Sequence, residues 1–148
     1  MGIPPVMVVD IFDPVRHFGF CRARGGQERV FFHVTTFVRL SPNDKAPPLP
    51  GEPVEIVVKD EPVSEGQSPK AALVRRLSQP VEVLGRIRSF DVKTGWGFIE
   101  DEHARVCFLH RADMIDNRVP VIGDDVLFYE GVSGKGQRVR ACAVRFAE

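Results

Sequence analysis

Gly95-Trp96-Gly97-Phe98-Ile99, followed eight residues after Ile99 by Cys107-Phe108-Leu109-His110, is the stretch that decides the fold. Side chains alternate across a β-strand, so Trp96 and Phe98 share one face while Gly97 and Ile99 share the other. The second segment repeats this, with Phe108 and His110 on one face and Cys107 and Leu109 turned toward a core. Paired as a hairpin, the two strands collect four flat rings on one sheet surface. Such a surface can stack nucleotide bases.

A second form of the pattern lies earlier in the chain, where Phe18-Gly19-Phe20-Cys21 is followed by Val30-Phe31-Phe32-His33. Phe18, Phe20, Phe31 and His33 correspond to Trp96, Phe98, Phe108 and His110, and the spacing from Phe18 to Phe31 is 13 residues against 12 from Trp96 to Phe108. Ile11-Phe12-Asp13 falls where Ser89-Phe90-Asp91 falls. The period is about 78 residues, too long for a solenoid repeat. It predicts two whole domains.

The paired segments resemble the two ribonucleoprotein signatures of the cold-shock domain, an OB-type β-barrel that binds single-stranded RNA and DNA. The resemblance is strong from Gly85 to Phe146 and weaker from Val8 to Leu77. It implies an all-β chain of two small five-stranded OB-type barrels, at residues 1–77 and 81–148. The tryptophan of the family's Lys-Trp-Phe is replaced by Ile11 and Ser89, and the ring that commonly follows the histidine by Val34 and Arg111. Each copy therefore lacks stacking surface that the family carries. The resemblance makes His33 and His110 base-contacting residues; an isolated histidine is more often structural.

Reading outward, Val6 to Phe12 forms a first strand with Val9 and Ile11 on the core face and Asp10 and Phe12 on the other. Strands follow over Phe18 to Ala23, Val30 to Val34, Val54 to Lys59 and Lys70 to Leu77, with Gly25-Gly26-Gln27 as a hairpin loop. Five of the thirteen residues from Ser41 to Pro53 are proline, which predicts an extended run over the surface. Ser78-Gln79-Pro80 is a link too short for free tumbling. In the second half Arg86, Arg88 and Phe90 oppose Ile87, Arg111 to Asp116 forms one helical turn, and Gly131 to Gly136 is a hairpin loop rather than a phosphate loop.

Composition is that of a soluble globular chain, 43% hydrophobic and 27% charged, with a formal net charge of zero. Residues 1–78 hold 10 basic and 9 acidic side chains and residues 79–148 hold 10 and 11, so neither half is basic. Phosphate affinity scales with neutralising lysines and arginines, which predicts modest binding carried by stacking. Cys21, Cys107 and Cys142 are odd in number and unpaired in spacing, which fits a reducing cytoplasm. No apolar run is long enough to span a membrane, and Val6 spoils a myristoylation pattern. His17, His33, His103 and His110 show no metal-ligand spacing with the cysteines, and no nucleophile with its base or paired carboxylates assembles, so no catalytic residue, metal or cofactor is assigned. Asp10, Asp13, Asp101 and Glu102 read as loop and edge charges.

Two functions follow. The first is single-stranded RNA or DNA binding by Trp96, Phe98, Phe108, His110, Phe90, Arg88 and Arg111, with Phe12, Phe18, Phe20, Phe31 and His33 in the first copy. The resemblance implies a role as RNA chaperone or as a regulator of transcription or translation. The second is a non-enzymatic adaptor or inhibitor that docks its barrels on a polymerase, a ribosome or another enzyme. Neutral charge, the weaker first copy and Ala46-Pro47-Pro48 favour it.

Overall fold

A computed structural model describes residues 6–23, 28–132 and 138–147. The Gly25-Gly26-Gln27 loop and residues 133–136 of the second predicted loop lie outside these. The chain divides into two compact units, Met1–Gln79 and Pro80–Glu148. Both are built of antiparallel meanders, and the described residues contain no α-helix, only two 3-10 turns, so none that could cross a membrane.

Unit 1 contains β1 (Val6–Asp13), β2 (Phe18–Ala23), β3 (Arg29–His33), β4 (Phe37–Val38), β5 (Pro53–Val58) and β6 (Ala71–Arg76). They hydrogen-bond in the order β3-β2-β1-β5-β6-β4. A bridge between Phe31 and Lys70 brings β3 round to the segment leading into β6. Unit 2 contains β7 (Val83–Asp91), β8 (Trp96–Asp101), β9 (Val106–His110), β10 (Asp125–Val132) and β11 (Val139–Phe146), and these five close into a barrel. The fold is thus all-β and of OB type. Unit 1 exceeds the expected five strands by the two-residue β4, which pairs in parallel with β6.

Each unit encloses one apolar cluster: Val9, Cys21, Val30, Phe32, Val54 and Val74 with their neighbours in unit 1, and Ile87, Ile99, Cys107, Leu109, Val126 and Phe128 with theirs in unit 2. The alternation read for β2, β3, β8 and β9 is the alternation observed.

The first strand of each unit departs from it. Register shifts between Val9 and Ile11 and between Ile87 and Ser89, leaving Asp10 and Arg88 as the extra residues of two β-bulges. One inserted residue reverses every later side chain. Ile11 therefore lies opposite Phe20 and is 46% exposed, whereas Phe12 lies opposite Gly19 and packs on the core, stacked on Phe32 at 6.1 Å. Phe90 likewise lies opposite Gly97 and packs on the second core. Ile11 as a core residue, and Phe12 and Phe90 as members of the outer face, are corrected by this.

The bulges also explain the glycines. A Cβ at Gly19 would stand 2.3 Å from the Ile11 carbonyl oxygen, and one at Gly97 would stand 2.1 Å from that of Ser89. Only a residue without a side chain lets the bulged backbone approach so closely.

The proline-rich segment does not run over the surface. Asp44, Ala46, Pro48, Leu49 and Pro50 are buried, and Gly51 donates its amide to the Val9 carbonyl at 2.7 Å. Prolines contribute carbonyls without amides, so the segment carries surplus acceptors. Arg76 supplies the donors. Fully buried, it donates to both oxygens of Asp44 at 2.9 and 3.1 Å, to Glu52 at 2.8 and 2.7 Å, and to the carbonyls of Ala46 and Pro47. Its guanidinium lies 4.9 Å from the Phe37 ring centroid.

Candidate nucleic-acid interface

The β8–β9 hairpin sets Trp96 opposite His110 and Phe98 opposite Phe108. Trp96 is 52% exposed and Phe98 44%, while Gly97, Ile99, Cys107 and Leu109, interleaved with them, are buried. Phe108 sits in the middle, edge-on to Trp96 at 4.9 Å and to Phe98 at 6.1 Å between centroids. Edge-on packing keeps the outer faces of Trp96 and Phe98 available to a third ring. Unit 1 repeats the register, with Phe18 opposite His33 and Phe20 opposite Phe31. Phe31 stands 5.6 Å from both Phe18 and Phe20. Here Phe18, Phe20 and Phe31 are half-buried, so this strip is the more closed.

His33 and His110 also hold the chain. Each is the N-cap of a 3-10 turn, Val34–Thr36 or Arg111–Asp113. His110 Nδ1 accepts the Ala112 amide at 3.0 Å, and His33 Nδ1 accepts that of Thr35 at 3.2 Å. The structural reading of the histidines is therefore present in both units, with one ring nitrogen committed to it.

Of the predicted arginines, Arg88 is the exposed bulge residue, 3.9 Å from Glu100. Arg111 donates to the Val92 carbonyl at 2.8 Å and lies along Gly95, whose φ is +77°. The corresponding turn of unit 1 has His17 at φ 65°. Phe90 and Arg111 line an open cleft of about 340 Å³ with Met114, Asn117 and Arg118. These two therefore border the strip instead of lying on it.

Sequence reasoning missed a charge cluster beside the first strip. Asp10, read as an edge charge, is buried and contacts Arg22 at 3.2 Å and Arg29 at 2.8 Å. Arg29 also lies 5.7 Å from the Phe20 ring centroid. Its equivalent in unit 2 is charge-reversed: Arg88 takes the place of Asp10 and Glu100 that of Arg22. The bulge offset and the period of the repeat together would have located the pair.

Asp101, another expected edge charge, is buried at the β8–β9 loop and accepts the amides of His103 at 2.9 Å and Arg105 at 2.8 Å. Burial alone would raise its carboxyl; those amides and the Arg105 side chain hold it below its usual value. Asp101, Cys107 and Glu130 place ligand atoms within 4.8 Å of one another, a grouping that no sequence spacing announced. Arg105 joins the two carboxylates, and burial with the nearby Glu130 and Asp101 pushes the Cys107 thiol up to about 11. Such a set is an ion-pair network over a neutral thiol, a poor donor set for a soft metal.

No protein-family model matches the chain, and no curated protein matches it. Among solved structures it is similar to drosophila Unr CSD456, at 19% identity and a TM-score of 0.41, over 97% of this chain and 61% of that one. The chain thus spans about three fifths of that structure's length.

Proposed function

We propose that this chain binds single-stranded nucleic acid, RNA or DNA, by stacking bases on its two aromatic strips, and that residues 1–77 and 81–148 are a tandem pair of cold-shock-like domains. The carrying observation is the exposure of Trp96 and Phe98 on strands whose alternate residues already fill the core. A strip needed only for packing would have no reason to leave its largest rings in water. Trp96, Phe98, Phe108 and His110 carry the binding, Arg88 and Arg111 border it, and Phe18, Phe20, Phe31 and His33 form the second, weaker strip. The proposed setting is cytoplasmic, in RNA chaperoning or the regulation of transcription or translation, with no catalytic step.

Trp96 is the only tryptophan, so its fluorescence reports on the strip directly. Short pyrimidine-rich and mixed oligonucleotides should quench it saturably. Because the chain is neutral, affinity should fall only shallowly with salt. Phe98→Ala should weaken binding by about 1–3 kcal/mol, roughly 5- to 150-fold. A flat titration at micromolar protein would remove the proposal for unit 2.

One observation favours the second reading, a protein partner in the transcription or translation machinery. Ile115, Val119, Val121 and Ile122 are all more than half exposed within the connection from β9 to β10. Binding of an oligonucleotide that leaves these four accessible, against recovery of a stoichiometric protein complex lost in Ile122→Asp, separates the readings.

A further inference from the structure

The strip of unit 1 does not end on rings. Phe18 pairs with His33 and Phe20 with Phe31, and the next pair across β2 and β3 is Arg22 with Arg29. Alternation puts that pair on the same face, about 7 Å beyond the Phe20–Phe31 row. Both guanidiniums reach Asp10, the bulge residue of β1: Arg22 Nε lies 3.2 Å from one carboxylate oxygen and Arg29 Nη2 lies 2.8 Å from the other. Asp10 is their one acidic partner among the described residues, and it is buried while both arginines reach water. Neither contact has the geometry of a hydrogen bond, so among the described residues Arg22 Nε and Asp10 Oδ2 have no hydrogen-bond partner. One cation would neutralise one carboxylate. The second is surplus, and each guanidinium carries five N–H donors, of which Asp10 can occupy few. Arg29 also lies 5.7 Å from the Phe20 centroid, beside the ring on which a base would stack. The matching row in unit 2 is Glu100 with Val106, which carries no cation.

We propose, resting on the nucleic-acid reading above, that Arg22 and Arg29 are a phosphate-binding site at the end of the unit 1 strip, which takes one phosphate group of the strand whose bases stack on Phe18, Phe20 and Phe31. A phosphate brings oxygens that accept from both guanidiniums at once, and it supplies the negative charge that balances the second cation. Asp10 holds the two forks side by side before the strand arrives, so little ordering remains to be done on binding. Stacking fixes no register, because every base has a π-face. A phosphate held at one point does, since it sets which nucleotides meet the rings. Glu100 at the matching place would repel the same group, so this anchor belongs to unit 1 alone.

The test uses the full chain. The side-chain Nε–H NMR signals of Arg22 and Arg29, assigned from the spectra of Arg22→Lys and Arg29→Lys, should shift together with the backbone amides of Phe18, Phe20 and Phe31 when oligothymidine is added. Arginine shifts lost when one internal phosphate becomes a neutral methylphosphonate put an internal phosphate in the site; shifts that require a 5′- or 3′-phosphate put a terminal one there. Affinity is read from the anisotropy of a labelled oligomer with Trp96→Ala/Phe98→Ala, which silences the unit 2 strip. In that background Arg29→Gln leaves Arg22 to neutralise Asp10 and removes the surplus charge. It should weaken binding roughly tenfold, the range of a charge-assisted hydrogen bond. The slope of log affinity against log salt should flatten by about 0.7, one phosphate's share on a single strand. Phenylalanine amides that shift while both arginine signals stay still, or an Arg29→Gln affinity within about twofold at unchanged slope, would overturn the proposal and leave the stacking reading standing. No shift in either set of signals removes both for unit 1.

Discussion

Replacing Arg76 by methionine takes away the guanidinium and keeps much of the apolar stem. Left behind are the buried Asp44 carboxylate, the mostly buried Glu52 carboxylate and the carbonyls of Ala46 and Pro47. Removing one partner of a buried ion pair costs about 3–5 kcal/mol, and each stranded carbonyl adds about 1–3 kcal/mol where the segment cannot relax. A loss of at least about 4 kcal/mol is expected, against the roughly 4–12 kcal/mol typical of a unit this size. The proton linkage has a definite sign. Burial would raise Asp44, but the Arg76 hydrogen bond, the Leu40 and Ala46 amides and the Arg76 charge hold it below its ordinary value. Its contribution in the native chain is therefore present above about pH 4 and lost as pH falls through the lowered value. In Arg76→Met burial acts without the cation, so the folded carboxyl binds its proton more tightly than the unfolded one, and the variant gains stability as pH falls. The gap between the two proteins should be widest near pH 7 and narrow toward pH 4. Urea unfolding followed by far-UV circular dichroism, with hydrogen exchange at Ile56 and Val74, reads unit 1; Trp96 and Tyr129 both belong to unit 2 and report on that unit. A loss below about 1 kcal/mol at pH 7, or one that is the same at pH 4.5, would refute the reasoning.

Gly97→Ala should cost 3 kcal/mol or more in urea unfolding, the upper end of overpacking, because the added carbon meets backbone that belongs to the bulge; an unchanged midpoint would mean that the bulge relaxes freely. In the turn before each strip, Gly95→Ala should cost about 1 kcal/mol for its left-handed backbone, and His17→Gly should leave stability equal or raised, as thermal unfolding of each variant would show. Burial pushes the Cys21 thiol up to about 12 and that of Cys107 up to about 11, and all three cysteines are buried. At pH 8 a thiol reagent should label the native protein far more slowly than the urea-unfolded one, and labelling of Cys21 or Cys107 at the unfolded rate would contradict their placement.

What was legible in the sequence is what alternation alone decides. Trp96 and Phe98, or Phe108 and His110, stand two residues apart on strands with one wet and one dry face, so their common surface follows from the period. Phe12 and Phe90 failed the same test because one extra residue, Asp10 or Arg88, precedes them. A bulge has little composition of its own, although the glycine facing each is its trace. Ile11 and Ser89 carried a second clue, since they occupy the position where the resembling family places an outward tryptophan. Arg76 was beyond reach for another reason. Next to exposed Arg75 at a strand end, nothing local tells which of the two turns inward; that depends on carboxylates 32 and 24 residues away. The buried Asp10 and Asp101 were misread because short acidic side chains are usually solvated, and only the assembled strands show the arginines of β2 and β3 that enclose Asp10 and the amides and Arg105 that enclose Asp101.

The reversed charges at the two bulges bear on how a chain of two similarly built units finds its own strand partners. Two neighbouring copies of one fold can exchange equivalent strands during folding, a recognised route to misassembly in tandem proteins. Exchange of β1 and β7 would lay Asp10 against Glu100 and Arg88 against Arg22, replacing two attractive contacts by two repulsive ones at the most constrained point of each sheet. Each unit is thereby marked with a charge sign that only its own hairpin answers.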